Sequence, residues 1–180
     1  MTGYSGVATY CKRGFTFDAT DGIGNEAYDQ EGRVIMTDHS KFVLFNVYFP
    51  NGGREGRLNF KLDFYNAFKH RVSELQKTRK VIVVGDVNTA HTLLDIHRDK
   101  VHQLIFFHEA NMLTDRFWMQ DPECTGFLPS ERQWIDEFLG LGYVDSFRHF
   151  HPGVPKCYTW WDPKTFSRSK NKGWRLFSLL

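Results

Sequence analysis

The stretch that decides the fold is Lys-Val-Ile-Val-Val-Gly-Asp-Val-Asn-Thr-Ala-His, residues 80–91. Its four consecutive β-branched residues predict a short strand buried on both faces, and Gly85 lets the chain bend where that strand ends. In an extended backbone Asp86 and Asn88 point to the same side, with Cα atoms about 7 Å apart. Such a carboxylate and amide could hold a phosphate or a metal-bound water. Alternatively, the two residues only form an Asx-turn that closes the strand.

The residues before this stretch predict two further strands and a helix. Arg33 to Thr37 forms one strand and Phe42 to Phe49 the next, with Leu44, Asn46 and Tyr48 sharing one face. Apolar residues at spacings of three and four then predict a helix from Arg57 to about Gln76, namely Leu58, Leu62, Tyr65, Phe68, Val72 and Leu75. Strand, helix and buried strand form an α/β crossover, whose functional residues lie at the carboxyl ends of the strands.

Three other segments have a readable local pattern. Val7 to Tyr10 and Cys157 to Trp161 read as strands. A helix is predicted to begin at Pro129 and to end near Gly140, with an inward face made by Trp134, Ile135, Phe138 and Leu139.

Composition indicates one domain with a large aromatic content. The chain has 180 residues, a net charge of +2 and 16% aromatic residues. Cations alternate with tryptophans near its end, at Trp160, Trp161, Lys164, Arg168, Lys170, Lys172, Trp174 and Arg175. This arrangement suits a nucleic-acid backbone and unstacked bases, although a solvated surface loop would have the same composition.

Cysteine and histidine spacing excludes some functional classes. Cys11, Cys124 and Cys157 lie far apart, and no signal or membrane-spanning segment is evident, so we expect a soluble, reduced, cytoplasmic protein. The histidines that follow the 80–91 stretch match no zinc signature; they are His97, His102 and His108.

Seven segments of the chain, taken in order, share a pattern with one family. They are Gly-Tyr-Ser-Gly-Val (3–7), Asp-Gln-Glu-Gly-Arg (29–33), Asn-Val-Tyr-Phe-Pro-Asn (46–51), Gly-Asp-Val-Asn-Thr-Ala-His (85–91), Gly-Phe-Leu-Pro-Ser-Glu-Arg (126–132), Tyr-Thr-Trp-Trp (158–161) and Lys-Asn-Lys-Gly-Trp-Arg-Leu (170–176). Together they resemble the exodeoxyribonuclease III family of apurinic/apyrimidinic (AP) endonucleases.

This resemblance implies an α/β fold, classed as α+β in some schemes: a four-layer sandwich of two packed β-sheets flanked by helices. It implies a Mg²⁺-dependent, or Mn²⁺-dependent, DNA repair nuclease, usually monomeric. Such an enzyme hydrolyses double-stranded DNA 5′ to an abasic site and trims 3′ ends. Residues 1–180 then form a single partial endonuclease/exonuclease/phosphatase domain, with an unmatched segment at about 101–124.

The resemblance also implies roles for individual residues. Asp86 resembles the residue that activates or positions the attacking water, Asn88 the amide that holds the scissile phosphate, and Tyr48 the phenol beside it. Asp86 and Asn88 would also be the metal ligands in this chain. The expected DNA contacts are Tyr4, Asn51 and Arg54, and the expected apolar pocket for a flipped-out abasic sugar is Trp160, Trp174 and Leu176.

The pattern departs from the family at both ends. The family's metal-binding glutamate lies upstream of a segment that here begins at residue 3, Phe177 stands where an aspartate is expected, and no catalytic histidine follows. We therefore expect a chain incomplete at both ends, poorly stable alone, whose activity is doubtful. The alternative to a nuclease is a catalytically inactive remnant that acts at most as a DNA-binding or partner-dependent fragment.

Overall fold

The computed structural model describes residues 5–97 and 125–180, which form a mixed five-stranded sheet with helices. Its strands, in spatial and chain order, are β1 (Asp18–Asp21), β2 (Val34–Asp38), β3 (Val43–Tyr48), β4 (Val81–Asp86) and β5 (Phe177–Leu179). The helices are α1 (Glu26–Asp29), α2 (Arg57–Gln76), α3 (Pro129–Gly140) and α4 (Ser146–Phe150), with 3-10 turns at Leu93–Asp95, Pro163–Thr165 and Ser167–Lys170.

The predicted α/β crossover is confirmed. β3 and β4 pair in parallel, α2 connects them, and the other neighbouring strands pair antiparallel. Strand β3 alternates as expected, because its odd-numbered residues are buried and Leu44, Asn46 and Tyr48 are only partly buried. The carboxyl ends of β3 and β4 therefore meet at one edge of the sheet.

Helix α2 has the predicted bounds but buries a slightly different stripe. Its buried residues are Lys61, Phe64, Tyr65, Phe68 and Val72, whereas Leu58, Leu62 and Leu75 are only partly buried. Phe49 continues the buried face of β3 and meets the aromatic rings of the helix edge to face, 5.4 Å from Phe64 and 5.1 Å from Phe68 between centroids. This aromatic layer is the centre of the core.

Helix α3 packs beside α2 and begins at Pro129 as predicted. Trp134 stacks on Tyr65 at 4.3 Å between centroids and donates its indole N–H to the Tyr65 carbonyl oxygen. Phe138 is fully buried on the same face. The two helices consequently form one layer over the sheet.

Three predictions about strands were wrong, and two strands were missed. Residues 7–10 do not form a strand and lie against β3, where Asn46 Nδ2 donates to the Ala8 carbonyl oxygen. Within 157–161 only Trp160 pairs, in an isolated bridge with Trp174. Within residues 81–84 only Val83 is fully buried, since α2 covers one face of β4. Strands β1 and β5 were not predicted: edge strands need only backbone hydrogen bonds, and β1 is entirely exposed.

The α/β class is confirmed. The described residues form one sheet with helices. Outside the sheet, Trp174 forms two isolated β-bridges, with Ile96 and with Trp160. The unmatched segment at 101–124 lies outside the described residues. No helix within 5–97 and 125–180 is long and apolar enough to cross a membrane.

Candidate active site

Tyr48 and Asp86 meet at the carboxyl ends of the two parallel strands. They are paired residues in the β3–β4 register, and the Phe49 backbone N–H donates to the Asp86 carbonyl oxygen at 2.9 Å. Paired residues of adjacent strands point to the same face of a sheet. For Tyr48 this is the face opposite α2, since the neighbouring residues Val47 and Phe49 are buried. The fold thus presents a phenol beside a carboxylate.

Gly85 lets β4 lie this close to β3. Its φ is +134°, and a Cβ at this position would lie 2.0 Å from the Val47 carbonyl oxygen. Both the backbone angle and the contact exclude larger residues. Gly85 therefore allows β4 to stay paired with β3 up to Asp86, where the turn begins.

Asp86 forms the Asx-turn that the sequence left open as an alternative. Its Oδ1 accepts the Asn88 backbone N–H at 2.8 Å, and Asn88 has a left-handed backbone with φ 54°. Burial raises the pKa of Asp86 to about 6, although the Asn88 backbone hydrogen bond and the charge of Lys61 oppose the rise. The turn leaves a carboxylate that is an unusually strong base for an aspartate.

The Asn88 side chain lies against the end of β3. Its Nδ2 donates to the Phe49 carbonyl oxygen at 2.8 Å, and its Oδ1 accepts from Asn51 Nδ2 at 3.3 Å. Asn88 is only 7% exposed, whereas Asn51 is exposed. The structure therefore brings together Tyr48, Asn51, Asp86 and Asn88, four of the predicted site residues.

A buried ionic network, made by side chains of α2 and α3, contacts the backbone of this turn. Sequence reasoning missed it. Lys61 Nζ donates to the Asn88 carbonyl oxygen at 2.7 Å, to Thr89 Oγ1 at 2.9 Å and to Glu131 Oε1 at 2.7 Å. Tyr65 donates its hydroxyl to the Val87 carbonyl oxygen at 3.0 Å. The available signal was a lysine four residues before Tyr65, inside the apolar stripe of a helix.

Arg33 contacts both the carbonyl group and the ring of Tyr48, a role that sequence reasoning also missed. It is 1% exposed, its Nη1 donates to the Tyr48 carbonyl oxygen at 3.1 Å, and its guanidinium carbon lies 5.2 Å from the Tyr48 ring centroid. Glu31 pairs with Arg57 and with Arg33, and the hydrogen bonds from these two side chains lower the pKa of Glu31. Glu31 thus serves as an anchor for the Tyr48 side of the site.

The predicted apolar pocket residues lie beside the turn formed by Asp86 and Asn88. Trp160 and Trp174 are bridge partners; Trp160 is 40% exposed and Leu176 is buried. The Leu176 carbonyl oxygen accepts the Val87 N–H at 2.9 Å, which ties this wall to the turn. An added Cβ on Gly126 would lie 3.3 Å from the Trp174 ring and 3.4 Å from the Asn88 carbonyl oxygen, so Trp174 and Asn88 flank the same glycine.

Arg175 does not belong to an exposed basic surface, contrary to the sequence interpretation. It is 4% exposed and donates from Nε to Asp95 Oδ1 at 2.6 Å and from Nη2 to Asp145 Oδ2 at 2.6 Å. Arg148 also donates to Asp95. Burial raises the pKa of Asp95, but the hydrogen bonds from Arg175 and Arg148 outweigh it and the net shift is downward. This network instead fixes the segment before β5 that carries Trp174 and Leu176.

Apart from Tyr4, the remaining residues predicted to contact DNA are exposed. Arg54 is exposed in the loop before α2, where its carbonyl oxygen accepts the Arg57 N–H. Lys164, Arg168 and Lys170 are exposed, and Arg168 lies over the Trp161 ring at 5.3 Å. Tyr4 lies outside the described residues.

The site offers few ligands for a metal ion. Within residues 5–97 and 125–180 there is no group of three or more His, Cys, Asp or Glu side chains that could hold one. Asp86 fits as a single carboxylate ligand, because its desolvated charge would be stabilised by a cation. The Asn88 amide oxygen already accepts from Asn51, so it fits the metal less well than predicted.

Comparison with known proteins agrees with this architecture. No family model matches the chain. The chain is 36% identical over 160 residues to a DNA-(apurinic or apyrimidinic site) endonuclease of Dictyostelium discoideum, covering 87% of this chain and 39% of the relative. It is 33% identical over 175 residues to an exodeoxyribonuclease of Bacillus subtilis, covering 97% of this chain and 62% of the relative.

Solved structures share the fold. A 3′-5′ exonuclease from Neisseria meningitidis superposes with a TM-score of 0.71 at 24% identity, covering 91% of this chain and 57% of that one. The mixed sheet and its parallel crossover define an α/β domain with the fold of that exonuclease structure. In sequence the chain resembles both an AP endonuclease and an exodeoxyribonuclease, and it spans less than two thirds of the length of the relatives named here.

Proposed function

We propose that this chain carries part of the active site of a DNA repair nuclease that hydrolyses the phosphodiester 5′ to an abasic site and trims 3′ ends. The observation that carries the proposal is the convergence of Tyr48, Asp86 and Asn88 at the paired ends of β3 and β4. The names of the two relatives, an AP endonuclease and an exodeoxyribonuclease, support the same reaction class.

Each of the three side chains has a chemical task in this proposal. Asp86, with its pKa raised to about 6, is ionised at neutral pH and is basic enough to accept a proton from the attacking water. Asn88 turns its amide toward the end of β3, and Tyr48 presents a phenolic O–H from the neighbouring strand. A phenolic O–H that donates to a phosphoryl oxygen, and the second N–H of the Asn88 amide, would stabilise the charge that develops there.

A divalent cation, Mg²⁺ or Mn²⁺, would be held by the Asp86 carboxylate together with oxygens of the substrate. Mg²⁺ in phosphate-processing sites is commonly bound through only one or two carboxylates plus substrate phosphates. When bound, such an ion polarises the phosphoryl oxygen and neutralises charge on the phosphate.

In this proposal, residues next to the site recognise the DNA. Trp160 and Trp174 provide aromatic faces beside Asn88, and a pocket lined by them accepts a sugar without its base more readily than an intact nucleotide. Asn51 and Arg54 lie in the exposed loop that follows β3 and would contact the backbone of the duplex.

The test is Mg²⁺-dependent incision of a labelled duplex with a single abasic site. We expect the 180-residue chain to cut 5′ to the lesion, and Asp86→Ala to abolish the cut. Asp63→Ala is the matched control, because Asp63 is an exposed aspartate on α2. Incision that survives Asp86→Ala would contradict the assignment of the site.

The second candidate is a chain that binds DNA without cutting it. It is favoured by the Asn88 amide oxygen, which is held by Asn51 rather than open to a metal. This function predicts no incision together with duplex binding that weakens steeply as salt is raised. Binding by filter retention at several salt concentrations, run beside the incision assay, separates the two.

A further inference from the structure

Lys61 and Glu131 are an ion pair sealed inside the protein. Both side chains are 0% exposed, and Lys61 Nζ lies 2.7 Å from Glu131 Oε1. Burial lowers the pKa of Lys61, although the Glu131 charge opposes this. Removing two charges from water is costly, and apolar residues of similar volume are often as stable in such places. The contribution of the pair to stability alone therefore does not account for it.

The pair contacts the backbone of the catalytic turn. Lys61 uses its three N–H donors on the Asn88 carbonyl oxygen, on Thr89 Oγ1 and on Glu131. Tyr65, one turn further along α2, donates to the Val87 carbonyl oxygen and bonds to Thr89. Two successive carbonyl groups of the turn are consequently held by side chains of one helix.

Glu131 closes the network from α3. Its Oε2 accepts the backbone N–H groups of Gly126 and Leu128 at 2.6 and 2.9 Å, and the Gly126 carbonyl oxygen accepts the Ala90 N–H at 2.8 Å. The carboxylate thus connects the start of α3 with the segment that follows Asn88. Both ends of the turn are attached to the helix layer.

The turn requires such support because of its backbone. Asn88 has φ 54°, a left-handed conformation that asparagine tolerates better than most residues but that only glycine adopts without steric cost. The same residue aims its amide at the end of β3. A relaxed backbone at this position would turn that amide, and the Asx-turn with Asp86 would open.

We propose that Lys61 and Glu131 are positioning residues, which hold the backbone of residues 87–89 so that the Asn88 amide and the Asp86 carboxylate face the scissile phosphate. The inference rests on the proposed nuclease function for its kinetic part. Neither side chain reaches the surface, so the pair acts on turnover and not on affinity for DNA. Small displacements of a reacting group cost about 100-fold in rate.

The test is the double variant Lys61→Met/Glu131→Gln, which removes both charges together and leaves neither unpaired. The matched control is Lys69→Met/Glu137→Gln, since Lys69 and Glu137 form an ion pair between the same two helices but at the surface. We expect amide hydrogen exchange at Asn88 and Ala90 to rise at least 10-fold in the double variant, with Val83 and Val47 unchanged. The control should leave all four at the rates of the unaltered chain.

Incision kinetics give the second readout. We expect kcat to fall about 10- to 100-fold in the double variant, while KM for the abasic duplex stays within twofold. Unchanged exchange at residues 88 and 90, a uniform rise across the sheet, or a change confined to KM would each overturn the proposal. If the unaltered chain does not cut DNA, the nuclease function fails, and the exchange pattern alone still decides whether the pair holds the turn.

Tyr65→Phe covers the case in which the double variant does not fold. It removes only the hydroxyl that holds Val87 and Thr89, and it leaves the ring stacked on Trp134. Faster exchange at Asn88 with unchanged exchange at Val83 is the expected result. Exchange at Asn88 equal to that of the unaltered chain would overturn the proposal.

Discussion

Tyr48 and Asp86 stand side by side at the ends of parallel strands, and each is fixed by a different part of the chain. Arg33 lies against the ring and carbonyl group of Tyr48, whereas the turn that contains Asp86 is held by Asn88 and by the helix layer. Neither side chain depends on the other for its placement. Their contributions to the reaction can therefore be measured separately.

Tyr48→Phe should lower the incision rate about 100-fold without loss of fold, because it removes one hydrogen-bond donor from the site. The ring and its contact with Arg33 remain. Single-turnover rates on an abasic duplex provide the measurement. Tyr28→Phe is the control, since Tyr28 packs on Phe60 and Phe64 of α2, on the face of the sheet opposite Tyr48. Equal rates for Tyr48→Phe and the unaltered chain would remove the phenol from the mechanism.

Asp86→Asn should stabilise the fold when divalent cations are absent. Burial raises the pKa of Asp86 from 3.8 to about 6, so the folded state holds a proton that the unfolded state releases. Stability therefore falls as pH rises from about 4 to about 7, and the asparagine variant escapes this loss. We expect it to be more stable by about 1–2 kcal/mol at pH 7 and equal below pH 4.

Urea unfolding across this pH range measures the Asp86 effect. Asparagine keeps the Oδ1 acceptor for the Asn88 N–H, so the comparison isolates the charge. Parallel stability curves for the two proteins would show that Asp86 does not titrate between pH 4 and 7. If Asp86→Asn is more stable than the unaltered chain but does not cut DNA, the charge of Asp86 lowers stability and is needed for function.

Gly85→Ala should prevent stable folding. The new methyl group would lie 2.0 Å from the Val47 carbonyl oxygen, a backbone atom that cannot move without breaking the β3–β4 ladder. We expect a loss above about 3 kcal/mol in the free energy of unfolding. Gly153→Ala serves as the control, because an added Cβ there meets no atom within 4 Å. Similar urea midpoints for the two variants would contradict the structure at Gly85.

Asp95→Asn should destabilise the protein by about 3 kcal/mol at neutral pH, because Arg175 and Arg148 lose their shared buried partner. The folded-state pKa of Asp95 lies below its usual 3.8, so its contribution is complete above about pH 4 and disappears as pH falls through the folded value.

Acid and urea unfolding of Asp95→Asn and the unaltered chain provide the measurement. The difference between them should be largest near pH 7 and should shrink below pH 4. Asp63→Asn, a change at an exposed position of α2, should follow the unaltered chain throughout. A difference that persists undiminished at low pH would show that the loss arises from packing and not from the carboxylate charge.

The sequence predicted those elements whose signal is local. Periodic apolar residues specified the bounds of α2, and the β-branched run before Gly85 specified β4 and the position of Asp86. Strand β1 has no apolar residue beyond one alanine, so its pairing with β2 left no pattern to detect. Local patterns encode burial, and an edge strand buries little.

Local sequence patterns could not predict the side chains that support the site. Lys61 and Glu131 are 70 residues apart, and each resembles an ordinary charged residue of a helix until the two helices are packed. Arg175 was grouped with its basic neighbours for the same reason, although its partners Asp95 and Asp145 bury it. Pairings of this kind are a property of tertiary structure and have no periodicity.

The pairing of Arg175 with Asp95, 80 residues apart, bears on how the protein acquires its site. Contacts between distant parts of a chain form late in folding, because a long loop must close before they are made. The wall at Leu176, which holds Val87, is attached through this pair. We therefore expect the wall beside the Asp86–Asn88 turn, together with β5, to be completed after the more local pairing of β3 and β4.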